Sequence, residues 1–189
     1  MCRITRVKSS PTTCLYNQPS GGASAQRAER QIMDSETVIL AIDPGKSGGM
    51  AMRNASTHEA FKMPDTDGDI IDRLRSLSAQ YKTRICYIEK VGGFVRGNKT
   101  PGSAMFNFGH GRGVIMGALM AFGWRIIEVP PVRWQKWLGI GTCGGDKRKL
   151  KAEAQRRFPN DRVTLMTADA LLILDYARAM EAAAKGGVE

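Results

Sequence analysis

The run Val38-Ile39-Leu40-Ala41-Ile42 is closed by Asp43-Pro44 and followed at once by Gly45-Lys46-Ser47-Gly48-Gly49. No other feature constrains the fold as tightly. Consecutive apolar residues rich in β-branched side chains and bounded by proline and glycine read as a buried strand. A carboxylate at the end of such a strand must find a cation or water, because an unpaired buried charge is costly.

The pattern is orderly from Thr37 onward. Gly48 to Arg53 and Glu59 to Met63 read as a second and third strand joined by the turn-forming Asn54-Ala55-Ser56-Thr57, which makes the first three strands an antiparallel meander. Asp67 to Lys82 places Ile70, Ile71, Leu74, Leu77 and Tyr81 on one face of an amphipathic helix. Arg84 to Ile88 is a fourth strand, and Glu89 follows it. Two strands therefore end in a carboxylate.

A glycine-rich loop, Gly92 to Gly102, carries Phe94, Arg96, Asn98 and Lys99. The helix expected from Ser103 to Phe122 bears Gly109, Gly113 and Gly117 on one stripe. Each interior glycine costs about 1 kcal/mol relative to alanine. Close approach by another element would offset that cost, so the helix should pack tightly on the sheet or on a partner subunit. Trp124 to Val129 is a fifth strand, and Val132 to Leu138 a short helix whose Trp134 and Trp137 are expected in the core.

After Gly139 to Gly145, the segment Asp146-Lys147-Arg148-Lys149-Leu150-Lys151 opens a helix running to about Phe158. Cations at a helix start oppose the macrodipole, which favours anions there, so these side chains are expected to meet phosphate. A last helix runs from Thr167, a candidate N-cap, to about Lys185, with Asp169 in its first turn.

Composition agrees with a nucleic-acid partner. The 189 residues are 42% apolar, enough for one domain with a real core, and carry a net charge of +10. Residues 1 to 32 hold Arg3, Arg6, Lys8, Arg27 and Arg30 against Glu29 alone, leaving about +6 on the remainder. The excess is more than a tail effect, and clustered cations gain affinity by releasing counterions from phosphates. Residues 1–33 lack hydrophobic periodicity and read as a disordered basic segment. A basic arm, an Arg-rich organellar targeting peptide, and a translated upstream segment with the functional start at Met33 are all consistent with it; residues 34–189 form the folded domain. Cys2, Cys14, Cys86 and Cys143 have neither zinc nor redox spacing, which implies free thiols in an intracellular reducing compartment. That compartment would be a bacterial or phage-infected cytoplasm, or an organelle matrix. No stretch approaches the roughly 18 apolar residues of a spanning helix, so no membrane partner is expected.

Asp43, Glu89 and Asp169 lie on elements that a mixed five-stranded sheet can bring to one edge. Like charges within about 4 Å repel by several kcal/mol even at an effective dielectric near 20, so the cluster calls for a divalent cation. Oxygen ligands favour magnesium, with manganese as a substitute. A pair of such ions about 3.5 to 4 Å apart could activate water for in-line attack on a phosphodiester. With a basic surface, this describes a nuclease.

Five motifs in order carry a resemblance: Val38 to Gly49, Tyr87 to Val91, Phe106 to Gly113, Val129 to Lys136 and Thr167 to Ile173. Together they resemble the RuvC-type Holliday junction resolvases of the ribonuclease H-like superfamily, closest to the phage-type and organellar members. The resemblance implies an α/β ribonuclease H-like fold: a five-stranded mixed sheet with an antiparallel first half and helices on both faces. It further implies a homodimer making paired magnesium-dependent nicks across a four-way DNA junction, with 5′-phosphate and 3′-hydroxyl ends. Asp43, Glu89 and Asp169 match three of the family's metal-binding acids, and RuvC's fourth, three residues before the last, is Met166 here. Three carboxylates and water would then suffice, unless Asp161 or Asp146 reaches in or activity is impaired. The expected DNA contacts are Phe94 as an unstacking wedge, with Arg96, Lys99, Arg112, Lys147, Arg148, Lys149 and Lys151; the glycine-striped helix would be the dimer interface. The alternatives are a non-catalytic junction-binding protein of the same fold and an ATPase-like nucleotide binder using Asp43 to Gly49. The ATPase-like fold needs a second domain for which the chain has no room. A P-loop would need glycine where Leu40 stands.

Overall fold

The computed structural model describes residues 35–91, 102–141 and 146–186. The strands are β1 (Thr37–Asp43), β2 (Gly49–Arg53), β3 (His58–Lys62), β4 (Thr83–Glu89) and β5 (Arg125–Val129). They form one sheet in the order β3-β2-β1-β4-β5, with β1–β2 and β2–β3 antiparallel and β1–β4 and β4–β5 parallel. The helices are α1 (Asp67–Gln80), α2 (Gly102–Ala121), α3 (Pro131–Trp137), α4 (Lys147–Arg157) and α5 (Ala168–Gly186).

The continuous apolar run of β1 is explained by its central place, because both of its faces are covered. Val38, Leu40 and Ile42 join Ile70 and Leu74 of α1 and Ile115 and Leu119 of α2 in one core. Ala41 joins Trp134 of α3, Leu150 of α4 and Leu171 and Leu174 of α5 in the other. This is the expected mixed α/β sheet with helices on both faces.

Several boundaries differ from expectation for local reasons. Helix α1 is capped by Thr66, whose hydroxyl accepts from the Asp69 N–H at 3.1 Å, and stops at Gln80 because Tyr81 is extended. Helix α4 starts at Lys147 with Asp146 as N-cap, its carboxylate accepting from the Arg148 and Lys149 N–H groups. At the start of α5, Thr167 is not the simple cap expected. Its hydroxyl accepts from the Thr164 N–H at 3.0 Å while the Thr164 hydroxyl accepts from the Thr167 N–H at 3.2 Å, a reciprocal pair one turn earlier.

The glycine stripe of α2 does not touch the sheet. Gly109, Gly113 and Gly117 are exposed, and a Cβ at any of them would meet nothing within 4 Å. Packing among the described residues therefore does not offset their helix cost. Trp137 also departs from expectation: it is 41% exposed, edge-on to Tyr176, whereas Trp134 is fully buried.

Candidate functional site

Asp43 ends β1, Glu89 ends the parallel neighbour β4, and Asp169 sits in the first turn of α5. The β1–β4 register pairs Ile42 with Ile88, so the residues that follow, Asp43 and Glu89, emerge side by side at one edge of the sheet. Asp169 joins them because α5 packs along β1 and β2 with its N-terminus at that edge. The topology thus brings together the three acids expected from sequence.

Two glycines make this convergence possible. A Cβ on Gly48 would lie 2.3 Å from the Asp43 carbonyl oxygen and 2.8 Å from its Cγ. A Cβ on Gly49 would lie 2.6 Å from the Met166 carbonyl oxygen and 2.8 Å from that of Phe61. Gly49 therefore lets the turn before α5 press against β2, which sets where Asp169 stands. Neither contact is visible in the sequence.

Asp43 and Asp169 are buried and Glu89 is half-buried, and they share few donors among the described residues. Asp43 and Asp169 are 7% and 6% exposed. Burial raises the pKa of each above the ordinary aspartate range, opposed by Lys147. Burial, together with the neighbouring Asp43, pushes Glu89 up to about 7, although the Trp134 indole N–H donates to its Oε1 at 3.1 Å. Trp134 was expected only as core; its ring is core and its N–H orients Glu89.

Lys147 was expected on DNA. Its Nζ lies 3.3 Å from Asp169 Oδ2 and 3.5 Å from Asp43 Oδ2. Burial alone would lower its pKa, but Asp169 and Asp43 outweigh that and hold it above the ordinary lysine value. The cation that opposes the dipole of α4 here meets the protein's own anions, Asp43 and Asp169, and not the phosphate expected of it. Arg148, Lys149 and Lys151 are exposed. Arg112 is committed within the fold, donating to Glu128 of β5 at 2.5 Å. Phe94, Arg96 and Lys99 lie outside the described residues.

The two candidate fourth acids are engaged elsewhere. Asp161 accepts from His58 at 2.7 Å. His58 pairs with Arg53 and Arg53 with Ile39, so this contact is at the far end of the sheet. Asp146 caps α4.

Among the described residues no three acid, histidine or cysteine side chains form a group that could hold a metal ion as they stand. Lys147 bridges two of the three acids. The donor set nonetheless fits a divalent ion, because Asp169 Oδ1 is buried with no hydrogen-bond partner among the described residues. A buried carboxylate oxygen left unpaired is the deficit that a hard cation would fill.

No protein-family model matches the chain, and no curated protein does. Solved structures do. The Thermus thermophilus RuvC structure is similar with a TM-score of 0.54 at 18% identity, over 76% of this chain and 97% of that one. T. thermophilus RuvC in complex with a Holliday junction substrate is similar with a TM-score of 0.51 at 18% identity, over 76% and 96% of the two chains. The chain has the ribonuclease H-like fold of RuvC.

Proposed function

We propose that this chain is a structure-selective endonuclease that resolves four-way DNA junctions by metal-dependent phosphodiester hydrolysis. The observation that carries the reading is the meeting of Asp43, Glu89 and Asp169 at one sheet edge, with Asp169 Oδ1 buried and unpaired among the described residues. The fold shared with a RuvC that has been solved on a Holliday junction supports the choice of substrate. Asp43, Glu89 and Asp169 would hold magnesium, with manganese as a substitute. The chemistry supplied by the bound ion is activation of water and neutralisation of charge at the attacked phosphate.

The chain's own residues do the rest. Trp134 fixes the Glu89 carboxylate, and the packing of Gly49 against the turn at Met166 fixes Asp169. Arg148, Lys149 and Lys151, exposed on α4, would contact flanking phosphates, and Phe94, Arg96 and Lys99, which follow β4 in the sequence, would extend that contact. Paired nicks need two sites, so the active species is a homodimer. The exposed face of α2, where Phe106 and Met120 flank the glycine stripe, supports a second copy as its cover. Close packing there would repay the helix cost of the stripe.

The test is cleavage of a synthetic four-way junction with and without magnesium, beside linear duplex and RNA–DNA hybrid. Magnesium-dependent symmetric nicks in the junction alone are expected. Binding without cutting would make the chain a junction-binding protein of the same fold.

A further inference from the structure

The stripe of α2 that packs on the core leaves it toward the helix start. Ile115, Ala118 and Leu119 are buried, but the same stripe continues earlier as Gly111, Phe108 and Ala104, which pass from half-buried to exposed. Beside them lies a cleft of about 610 Å³, the size of a small-ligand site. Met63, Ile70 and Ile115 give it an apolar lining to which Phe108 adds an aromatic ring. A Cβ on Gly111 would meet nothing within 4 Å, so the space reaches the helix backbone.

Position and charge say what fits. Pro44 and Gly45, which also line the cleft, directly follow Asp43, and the Gly45 N–H donates to the Asp43 carboxylate. A nucleotide whose phosphate meets Asp43 therefore has the cleft beside it. Asp65 and Asp67 stand on the lining, the first paired with Lys62 at 2.8 Å and the second 3.7 Å from His110. Carboxylates there disfavour a phosphate and suit an uncharged group that carries hydrogen-bond donors. Asn107, exposed in the same lining, offers both a donor and an acceptor to such a group. The Gly109, Gly113 and Gly117 stripe lies on the opposite side of α2, so a second copy seated on it faces away from the cleft.

We propose that this cleft receives a nucleobase adjoining the cut phosphate, withdrawn from the stack at the crossover, with Phe108 against its face and Asn107 at its edge. This inference rests on the junction-cleaving reading and deepens it.

The test couples the cleft to the base. Junctions with an abasic residue on one or the other side of the nick position are compared with the intact junction, in affinity without divalent ions and in single-turnover cleavage with magnesium. The full-length chain is expected to lose about tenfold in both with the abasic residue at one of the two positions. Gly111→Leu, which fills the cleft with a better helix former, and Asn107→Ala are each expected to weaken the intact junction and to lose less than twofold further on the abasic one. Indifference of the unaltered chain to both abasic positions, or a full further loss in Gly111→Leu, would overturn the inference and leave the nuclease reading standing. Coupling in affinity with no cleavage in magnesium would support the cleft and overturn the nuclease reading. No junction binding would overturn both.

Discussion

The two ends of the sheet treat buried charge in opposite ways. At the far end each acid has its own donor: Glu181 accepts from the Tyr87 hydroxyl at 2.7 Å and from Arg125 at 2.6 Å, and Asp161 accepts from His58. On the same helical face, Asp175 and Glu153 share Arg157, which also donates to the Leu138 carbonyl. At the Asp43 end the three acids share one lysine, one indole N–H and the Gly45 backbone N–H among the described residues, and an oxygen is left over. The contrast separates acids that are paired within the fold from acids left short of partners among the described residues, which are the ones proposed to serve chemistry.

The largest effect that could break this contrast is on cleavage. Asp43→Asn, Glu89→Gln and Asp169→Asn should each reduce magnesium-dependent junction cleavage by about a thousandfold or more, which is about 4 kcal/mol of barrier. Junction binding, read by gel shift, should change little. Undiminished cutting by all three variants would remove the site assignment.

Breaking the other kind of charge should act on stability instead. Arg157→Met removes the cation that Asp175 and Glu153 share, leaving them Arg178 and Arg156 alone, and should cost about 1 to 2 kcal/mol in denaturant unfolding. A loss below about 1 kcal/mol would mean that the network linking α4 to α5 is not structural.

Neutralising an acid at the Asp43 end should do the reverse. The folded pKa of Glu89, about 7, is above its ordinary value of 4.5, so its contribution is fully present below that value and lost as pH rises through about 7. Metal-free Glu89→Gln should therefore match the unaltered chain at pH 4 and exceed it by about 3 kcal/mol above pH 8. For the same reason magnesium should raise the melting temperature of the unaltered chain more at pH 8 than at pH 5. Equal gains at both pH values would contradict a charge deficit.

Gly49→Ala sharpens the geometric side. Its Cβ would collide with backbone oxygens on two elements, costing about 1 to 3 kcal/mol and displacing the turn before Asp169. Cleavage should fall by more than the lost stability explains, with junction affinity unchanged. The smallest effect is expected for Asp161→Asn, whose pair with His58 is partly exposed and worth less than about 1 kcal/mol. Cleavage should be unaltered, as follows if Asp161 is not a ligand.

Much of the sheet was legible because strand period and bounding turns are local. The run before Asp43, the meander to Met63 and the strand before Glu89 all lie within a residue or so of their observed limits. The glycine stripe of α2 was legible as a pattern but not as a contact, because a spacing of four gives the face and says nothing about what covers it. Trp134 read correctly as core, yet its N–H on Glu89 depends on α3 crossing the end of β4. Lys147 was read as a phosphate contact; that it meets Asp43 and Asp169 depends on where α4 docks.

By itself, then, the sequence determined the kind of strand that carries Asp43, the order of elements and the three acids, since these follow from side-chain period and from the penalty on buried charge. Tertiary structure alone decided which charges meet. It drew Lys147 into the acids, held Asp161 at the opposite end of the sheet and used Gly49 to seat the turn before Asp169. Such contacts join residues up to about a hundred positions apart, and electrostatic pairing depends on distance in space, which no local pattern encodes.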